Sequence, residues 1–500
     1  MTYSMKMRSA VCIAAMIAGG AAQADVTAQQ VWDDWKEQMS LYQQTEIEVG
    51  SEEMSGDTLV VSNLSVTSTS PEITSNYSIE ELRFEEKRNG SVVITMSDSY
   101  PITFTPESDV VVTVETTQSG LELVVSGDPD AMNYDVKADS IAIALKDIVD
   151  GDVTFDGTAS IVLNDMSGTY ATAETETRDI SYDLDIASTD ILVDVQVPGG
   201  KDEYFTGGGK IEGINMAATI AMPIDADFEN PEELFANGFA MEGGYTLDAA
   251  SYIFDVNADG EQFAGSVSMG DTDLKGQFNS TVVSYDANAN DVAVNITGSE
   301  VPFPIELTFA KYGIGFEAPL GKSDQPEDFR LSFDFIDVAI NEMIWGMIDP
   351  GNVLPHDPAT IQFALSGTAQ PMIDMMDPAQ QATIKGDNLP FELNTLSLEN
   401  LKIALAGALV TGAGDFTFDS TDTQTFAPMP RPEGEVAIKA NGLNQLIDNL
   451  IDMGLIPEEQ VMGPRMMMGM FARTTGDDQL ETTLEVNGEG HVLVNGQRVK

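Results

Sequence analysis

Cysteine is almost absent from this 500-residue chain, and its single copy, Cys12, stands near the N-terminus. Everything after it is excluded from disulfides, thiolate metal sites and thiol nucleophiles. Histidine is nearly as scarce. His356 and His491 are the only two, too far apart for metal-ligand spacing, and no G-x-S-x-G elbow accompanies either. A serine nucleophile would need such a base beside it. Basic residues are few as well, 23 Lys and Arg against 82 Asp and Glu, for a formal net charge of −59. The acids are spread along the chain without an acidic tail and read as a solvated surface. Such a field repels nucleic acid and anionic headgroups. It suits a salty exterior, because the screening length shrinks from ~10 Å at 0.1 M to ~3 Å at 1 M. Beyond residue 24 no run approaches the ~20 apolar residues of a spanning helix, so no transmembrane segment is expected there.

The N-terminus carries a short basic head, Lys6 and Arg8, an apolar run from Val11 to Ala18, and Ala22-Gln23-Ala24. This pattern predicts a secretory signal peptide over residues 1–24, cleaved after Ala24, and hence a periplasmic protein. Cys12 lacks the Leu-Ala-Gly setting of a lipoprotein cysteine. The segment holds two of the bases and none of the acids, so cleavage would move the charge to −61 and leave no cysteine.

After it, Thr27 and Gln30 predict a capping box. Val31, Trp32, Trp35, Met39 and Tyr42 recur at helical spacing, with Asp33, Asp34 and Glu37 opposite. A membrane-surface helix normally has a basic polar face, so docking on the protein's own sheet is expected. From about residue 56 to 225 the period becomes two, as in Leu59 to Val66, Val110 to Val114, Ile141 to Leu145 and Ile191 to Val197. Apolar residues alternate with Thr, Ser and Asp, which predicts long antiparallel strands with one dry and one wet face. A short helix at Pro231–Phe235 marks a boundary between Asn230 and Gly243, giving an N-terminal lobe over 25–229 and a second over 230–500. Strands resume from Tyr252, a helix is expected over Val338–Ile348, and strands return from Ile361 to Phe418.

Leu443, Leu446, Ile447, Leu450 and Ile451 form an amphipathic helix stopped by Gly454, and Pro457-Glu458-Glu459 opens another. Strands Leu480–Val486 and His491–Val494 follow, joined at Asn487–Gly490. The expected fold class is mainly β with capping helices (α+β), an elongated, curved antiparallel sheet forming an open groove with one apolar face.

Few segments invite chemistry. Asp255, Asn257 and Asp259 imitate the start of an EF-hand loop, but the twelfth position is Ser266 where a bidentate Glu is needed. A hairpin turn explains them, with a weak calcium site as the alternative; Asp286 to Asp291 reads the same way. Gly207-Gly208-Gly209-Lys210 lacks the other elements of a phosphate loop and reads as a turn. The Met-rich second helix is the sharper candidate. Met462, Met466, Met467, Met468, Met470 and Phe471 offer a flexible, polarizable surface, either a lid on the dry face or the rim of an apolar ligand site.

The run GLNQLIDNLIDMGLIPEEQVMGPRMMMGMFAR (Gly442 to Arg473), closing with VNGQRV (Val494 to Val499), resembles the C-terminal signature of the DUF2125 family. DVTAQQVWDDW (Asp25 to Trp35) and ITMSDSYP (Ile94 to Pro101) fit the same family. The resemblance implies an envelope or secreted alphaproteobacterial protein with a β-rich fold, and brings no catalytic residues. A looser likeness to AsmA-like and DUF945-type envelope proteins implies long curved sheets and lipid traffic.

The expectation is a non-enzymatic periplasmic protein without a cofactor, binding a lipid-like ligand or an envelope protein on its apolar sheet face, and no nucleic acid. The alternative is a calcium-stabilised interaction or adhesion module.

Overall fold

The computed structural model describes residues 25–40, 45–70, 72–106, 110–150, 153–154, 157–196, 203–224, 226, 230–258, 260–301, 303–384, 390–427 and 429–500. The predicted signal peptide, with Cys12, lies outside the described residues, as do Tyr42 and Asp259.

The chain opens with α1 (Ala28–Ser40), followed by β1 (Thr45–Ser55), β2 (Thr58–Thr69), β3 (Ile73–Glu86), β4 (Val92–Met96) and β5 (Ser99–Pro106). Next come β6 (Val110–Ser119), β7 (Glu122–Asp128), β8 (Ala131–Asp150), β9 (Val153–Thr154), β10 (Gly157–Glu174), β11 (Thr177–Gln196) and β12 (Tyr204–Pro223). α2 (Pro231–Ala236) precedes β13 (Ala240–Leu247), β14 (Ala249–Ala258), β15 (Glu261–Met269), β16 (Thr272–Asn279), β17 (Val282–Gly298), β18 (Ile305–Pro319) and β19 (Glu327–Ile340). α3 (Glu342–Ile348), β20 (Ala359–Pro371), α4 (Pro378–Gln381), β21 (Phe391–Leu405), β22 (Ala408–Asp419) and β23 (Arg431–Asn441) continue. The helix pair α5 (Leu443–Asp452) and α6 (Glu458–Phe471) leads to β24 (Arg473–Gly476), β25 (Gln479–Val486), β26 (Val492–Val494) and β27 (Gln497–Arg498).

Every pairing is antiparallel, and the strands form one sheet, as the near absence of crossover helices predicts. β4 and β5 lie end to end beside β3; β13 and β14 do the same beside β12. Because β12 bonds to both β13 and β14, hydrogen bonding continues without a break past residues 230–243.

The expected alternation is realised. Tyr134, Tyr170, Tyr182 and Ala218 stand opposite one another on β8, β10, β11 and β12. The same row continues through Gly243, Gly276, Tyr285, Phe316, Leu331 and Leu365 to β20. Neighbouring residues point to the other face, where Asp183, Lys275, Asp286, Arg330 and Ser366 stand. One face is therefore apolar across most of the sheet, and the other polar.

α1 covers the first end of the apolar face. The Thr27 N–H donates to Gln30 Oε1 (2.9 Å) and the Gln30 N–H to Thr27 Oγ1 (3.3 Å), the reciprocal cap that the sequence predicts. Val31 and Trp32 are fully buried against Val61, Leu82, Phe84 and Ile94. Trp32 and Trp35 each meet the Phe84 ring, at 5.7 and 5.5 Å. The helix's far end is held by polar contacts: Tyr134 donates to Asp34 (3.2 Å), Tyr170 to Gln38 (3.3 Å), and Arg178 pairs with Glu37 (2.7 Å).

A line of Asp, Asn and Gly crosses the sheet. On β2, Leu59 and Val61 face α1, and so do Leu64 and Val66; the odd-numbered set gives way to the even-numbered set at Asn63. On β3 the change falls between Ile79 and Leu82. Strict alternation would send half of each strand's apolar residues to the wrong face, and one extra residue in each strand that the line crosses keeps them together. The cross-strand registers place these extra residues in line: Gly50 opposite Asn63, Gly120 opposite Asp139, Asp139 opposite Asp165, Gly213 opposite Asp248, and Asp291 opposite Ala310. Asn63, Asp165, Gly213, Asp291 and Asp337 have φ between 49° and 64°. Gly has no Cβ to clash there, and Asn and Asp tolerate this region better than other residues. The breaks between β4 and β5, β6 and β7, β13 and β14, and β15 and β16 fall on the same line.

Three local expectations change. Val338–Ile340 extend β19 instead of starting a helix, and α3 begins only after Asn341, whose side chain caps the Ile344 N–H (3.1 Å). Gly207–Lys210 lie inside β12 and form no turn, because the flat backbone accepts the Tyr252 ring from β14 across it. Asp286–Asp291 are likewise strand, since Asp286 is tied to Arg330 on β19 and Asp291 sits on the crossing line.

Candidate functional site

The apolar face beyond α1 is the candidate site. Helices meet it at α1 over β1 to β3 and at α5 beside β22, while Phe235 of α2 meets Phe278 edge to face at 4.7 Å. Between them, Tyr245, Met241, Tyr285, Phe316, Leu331 and Ile361 are exposed. From β11 to β21 this stretch spans ~40 Å at the usual strand spacing.

Glycines shape its surface. The rings of Tyr252, Phe254 and Phe329 lie against the backbones of Gly207, Gly265 and Gly367 on neighbouring strands, where a Cβ would collide with them. Large side chains thus fold down over their neighbours, a glycine-and-aromatic packing that suits a strongly twisted sheet. Gly276 has no ring over it; its nearest neighbour is backbone oxygen at 3.6 Å from where a Cβ would stand. Ala218, Gly243 and Gly276 therefore form a furrow between Tyr182 and Tyr285.

The polar face carries a hollow of about 870 Å³ over the same strands. Thr169, Asp183, Asn215, Glu242, Lys275 and Gln277 line it. The Asn215 amide donates to Asp183 (2.8 Å) and Asp185 (3.1 Å), and Arg330 grips Asp286 with two bonds of 2.9 and 2.6 Å. Asn215, Asp183 and Asp286 are thus tied to partners within the protein.

The Met-rich helix is placed at the other end. Val461 is its one buried residue, and Met468 and Phe471 are half-buried. Met462, Met466, Met467 and Met470 are 53% to 64% exposed, so four of the five methionines point away from the protein. The helix is anchored at its middle and its C-terminal end: Arg465 pairs with Asp448 of α5, and the Phe471 carbonyl accepts from Thr482 and Asn495 (2.8 Å each). Asp478 caps α5, accepting from the Asn444 N–H (3.1 Å) and the Gln445 N–H (2.9 Å).

Asp255 and Asn257 share β14, with Gln262 opposite Asn257 in the β14–β15 hairpin. The Asp255 carboxylate accepts from Tyr204 (3.1 Å) and Gln262 (3.1 and 3.2 Å). Asp259 falls outside the described residues. Among the described residues, no three His, Cys, Asp or Glu side chains are grouped to hold a metal. No described helix is long and apolar enough to cross a membrane.

His356 stacks on Trp345 (4.3 Å) and lies 3.0 Å from Glu342 and 3.7 Å from Asp349. Asp349 is buried, which works against its charge. The N–H groups of Leu354 and Val353, with His356, overcome this and hold its carboxyl below the usual range. The cluster ties the loop after α3 to the helix. His491 lies 3.3 Å from Glu489 in a terminal turn.

Sequence reasoning missed the crossing line and the glycine furrow. The first has a readable signal, a one-residue slip in alternation at an Asn, Asp or Gly inside a long strand.

No curated protein matches the chain, and neither does any solved structure. The family described as an uncharacterized protein conserved in bacteria (DUF2125) matches residues 239–499, from the start of β13 to the C-terminus. The stretches at 25–35 and 94–101 lie outside that match, which covers just over half the chain. From β13 through the Met-rich helix to β27, this chain belongs to the DUF2125 family.

Proposed function

We propose that the protein is an extracytoplasmic, non-enzymatic carrier that binds acyl chains of lipids on the apolar face between β11 and β21. One observation carries this reading: the apolar row that α1 covers at Tyr134 and Tyr170 continues through Tyr182, Tyr285, Phe316 and Leu331 without equivalent cover. An open apolar surface of this extent marks a binding face in a soluble chain. Its ~40 Å exceeds the ~15 Å that one acyl chain takes in half of a ~30 Å hydrocarbon core, so more than one chain fits. A second copy is a poorer occupant, because two chains of charge −59 would have to meet. The sequence of residues 1–24 supports the location outside the cytoplasm. The calcium-stabilised alternative draws less support, as Asp255 and Asp286 already bond to Tyr204, Gln262 and Arg330.

The test is native mass spectrometry and lipid extraction of the purified chain, followed by titration with a fluorescent fatty acid. Copurifying lipid and saturable binding that L331D removes are expected. Absence of both, or a dimer that L331D dissociates, overturns the reading.

A further inference from the structure

We propose that the outward face of α6 is a soft-metal site that takes Cu(I) through the thioethers of Met466, Met467 and Met470. At ~100° per residue, Met462, Met466 and Met470 fall ~40° apart around the helix, and Met467 lies ~100° from Met466. Three long, freely rotating thioether side chains thus leave the helix within one turn and ~100° of one another, close enough for their sulfurs to reach one ion, with Met462 one turn away. Gly463 sits on the same face, between Met466 and Met467 in angle and one turn below them. No atom lies within 4 Å of where its Cβ would be. The missing side chain leaves a hollow in the middle of the methionines, open to solvent.

Other observations fit a cation there. All four methionines are more than half exposed, although burying such apolar side chains is favourable. Arg465, the positive charge of this helix, is turned away and paired with Asp448. Glu459 lies one turn before Met462 on the same side and adds negative potential, as does the acidic chain as a whole. Thioethers are soft ligands that select Cu(I) over hard cations such as Ca²⁺ and Mg²⁺. With no cysteine beyond residue 24, thioethers are the soft ligands this part of the chain has. Binding involves no change of oxidation state. The proposal is independent of the lipid reading.

The full chain is titrated anaerobically with Cu(I) against a chromogenic chelator, and with Ag(I) as a redox-silent probe, beside M466L/M467L/M470L. Leucine keeps the apolar volume and removes the sulfur, so an apolar docking role would survive while metal binding would not. One equivalent of Cu(I) is expected, weakened roughly tenfold or more in the triple variant and unchanged in M343L/M347L on α3. Methyl NMR of the wild type should show the Met466, Met467 and Met470 signals moving with Ag(I). Equal affinity in the triple variant, no stoichiometric binding, or unmoved methyl signals overturns the proposal. Loss of fatty-acid binding in L331D with Cu(I) binding intact would separate the two sites.

Discussion

Gly213 on β12 stands opposite Asp248, the residue between β13 and β14, and the Asp248 carboxylate occupies the space a Gly213 side chain would take. The same relation joins Gly120 to Asp139. Each pair puts a residue with positive φ against a short acid that leans over it. The line these pairs define lets the strands it crosses change phase together while their register is kept.

Gly213→Ala should therefore destabilise the chain by about 1–3 kcal/mol, since alanine at φ +64° is strained and its Cβ displaces Asp248. Gly346→Ala in α3, where nothing lies within 4 Å, should be neutral or gain up to ~1 kcal/mol. Urea unfolding measures both. Equal midpoints for the two variants would contradict the strain argument.

Trp32→Ala should cost about 3–5 kcal/mol, because the ring is fully buried under α1 against Phe84 and leaves a cavity. Thermal melts monitored at the remaining tryptophans check this. A loss near that of a surface substitution would mean that α1 does not hold this end of the sheet.

Phe316→Asp and Leu331→Asp lie on the uncovered part of the apolar face. Each should keep the fold, with a melting temperature close to wild type, and lower fatty-acid binding strongly. Glu317→Gln, on the opposite face of β18, should leave binding unchanged. An unfolded Leu331→Asp chain would show that the face is core and not a site.

The Asp349 carboxyl titrates below its ordinary range in the folded chain, so the stabilisation it supplies is present above the unfolded carboxylate range. That contribution disappears as the pH falls through the depressed folded value. Protection against hydrogen exchange at residues 349–358, measured relative to the intrinsic amide rate at each pH, should fall on acidification. Asp349→Asn should show lower protection already at neutral pH, with little further loss in acid. Slow exchange in that variant at pH 7 would remove the role assigned to the carboxylate.

Much of this architecture is legible in the sequence, because local chemistry decides it. Period-two alternation from Leu59 onward dictates strands with a dry and a wet side, Thr27 and Gln30 close their cap wherever the helix docks, and Gly454 ends α5 through its left-handed backbone. The acid excess and the loss of cysteine beyond residue 24 are matters of composition alone. Alternation cannot say what covers the dry side, since covering depends on contacts between residues far apart in the chain. Only tertiary structure decides that α1 shields β1 to β3 and leaves Phe316 and Leu331 exposed, that Gly207 lies flat beneath Tyr252 instead of turning, and that four methionines of α6 face outward. The extra residues at Asn63, Asp165 and Gly213 look like separate irregularities in the sequence. Hydrogen bonding between neighbouring strands aligns them, and that alignment keeps one apolar face continuous across the sheet.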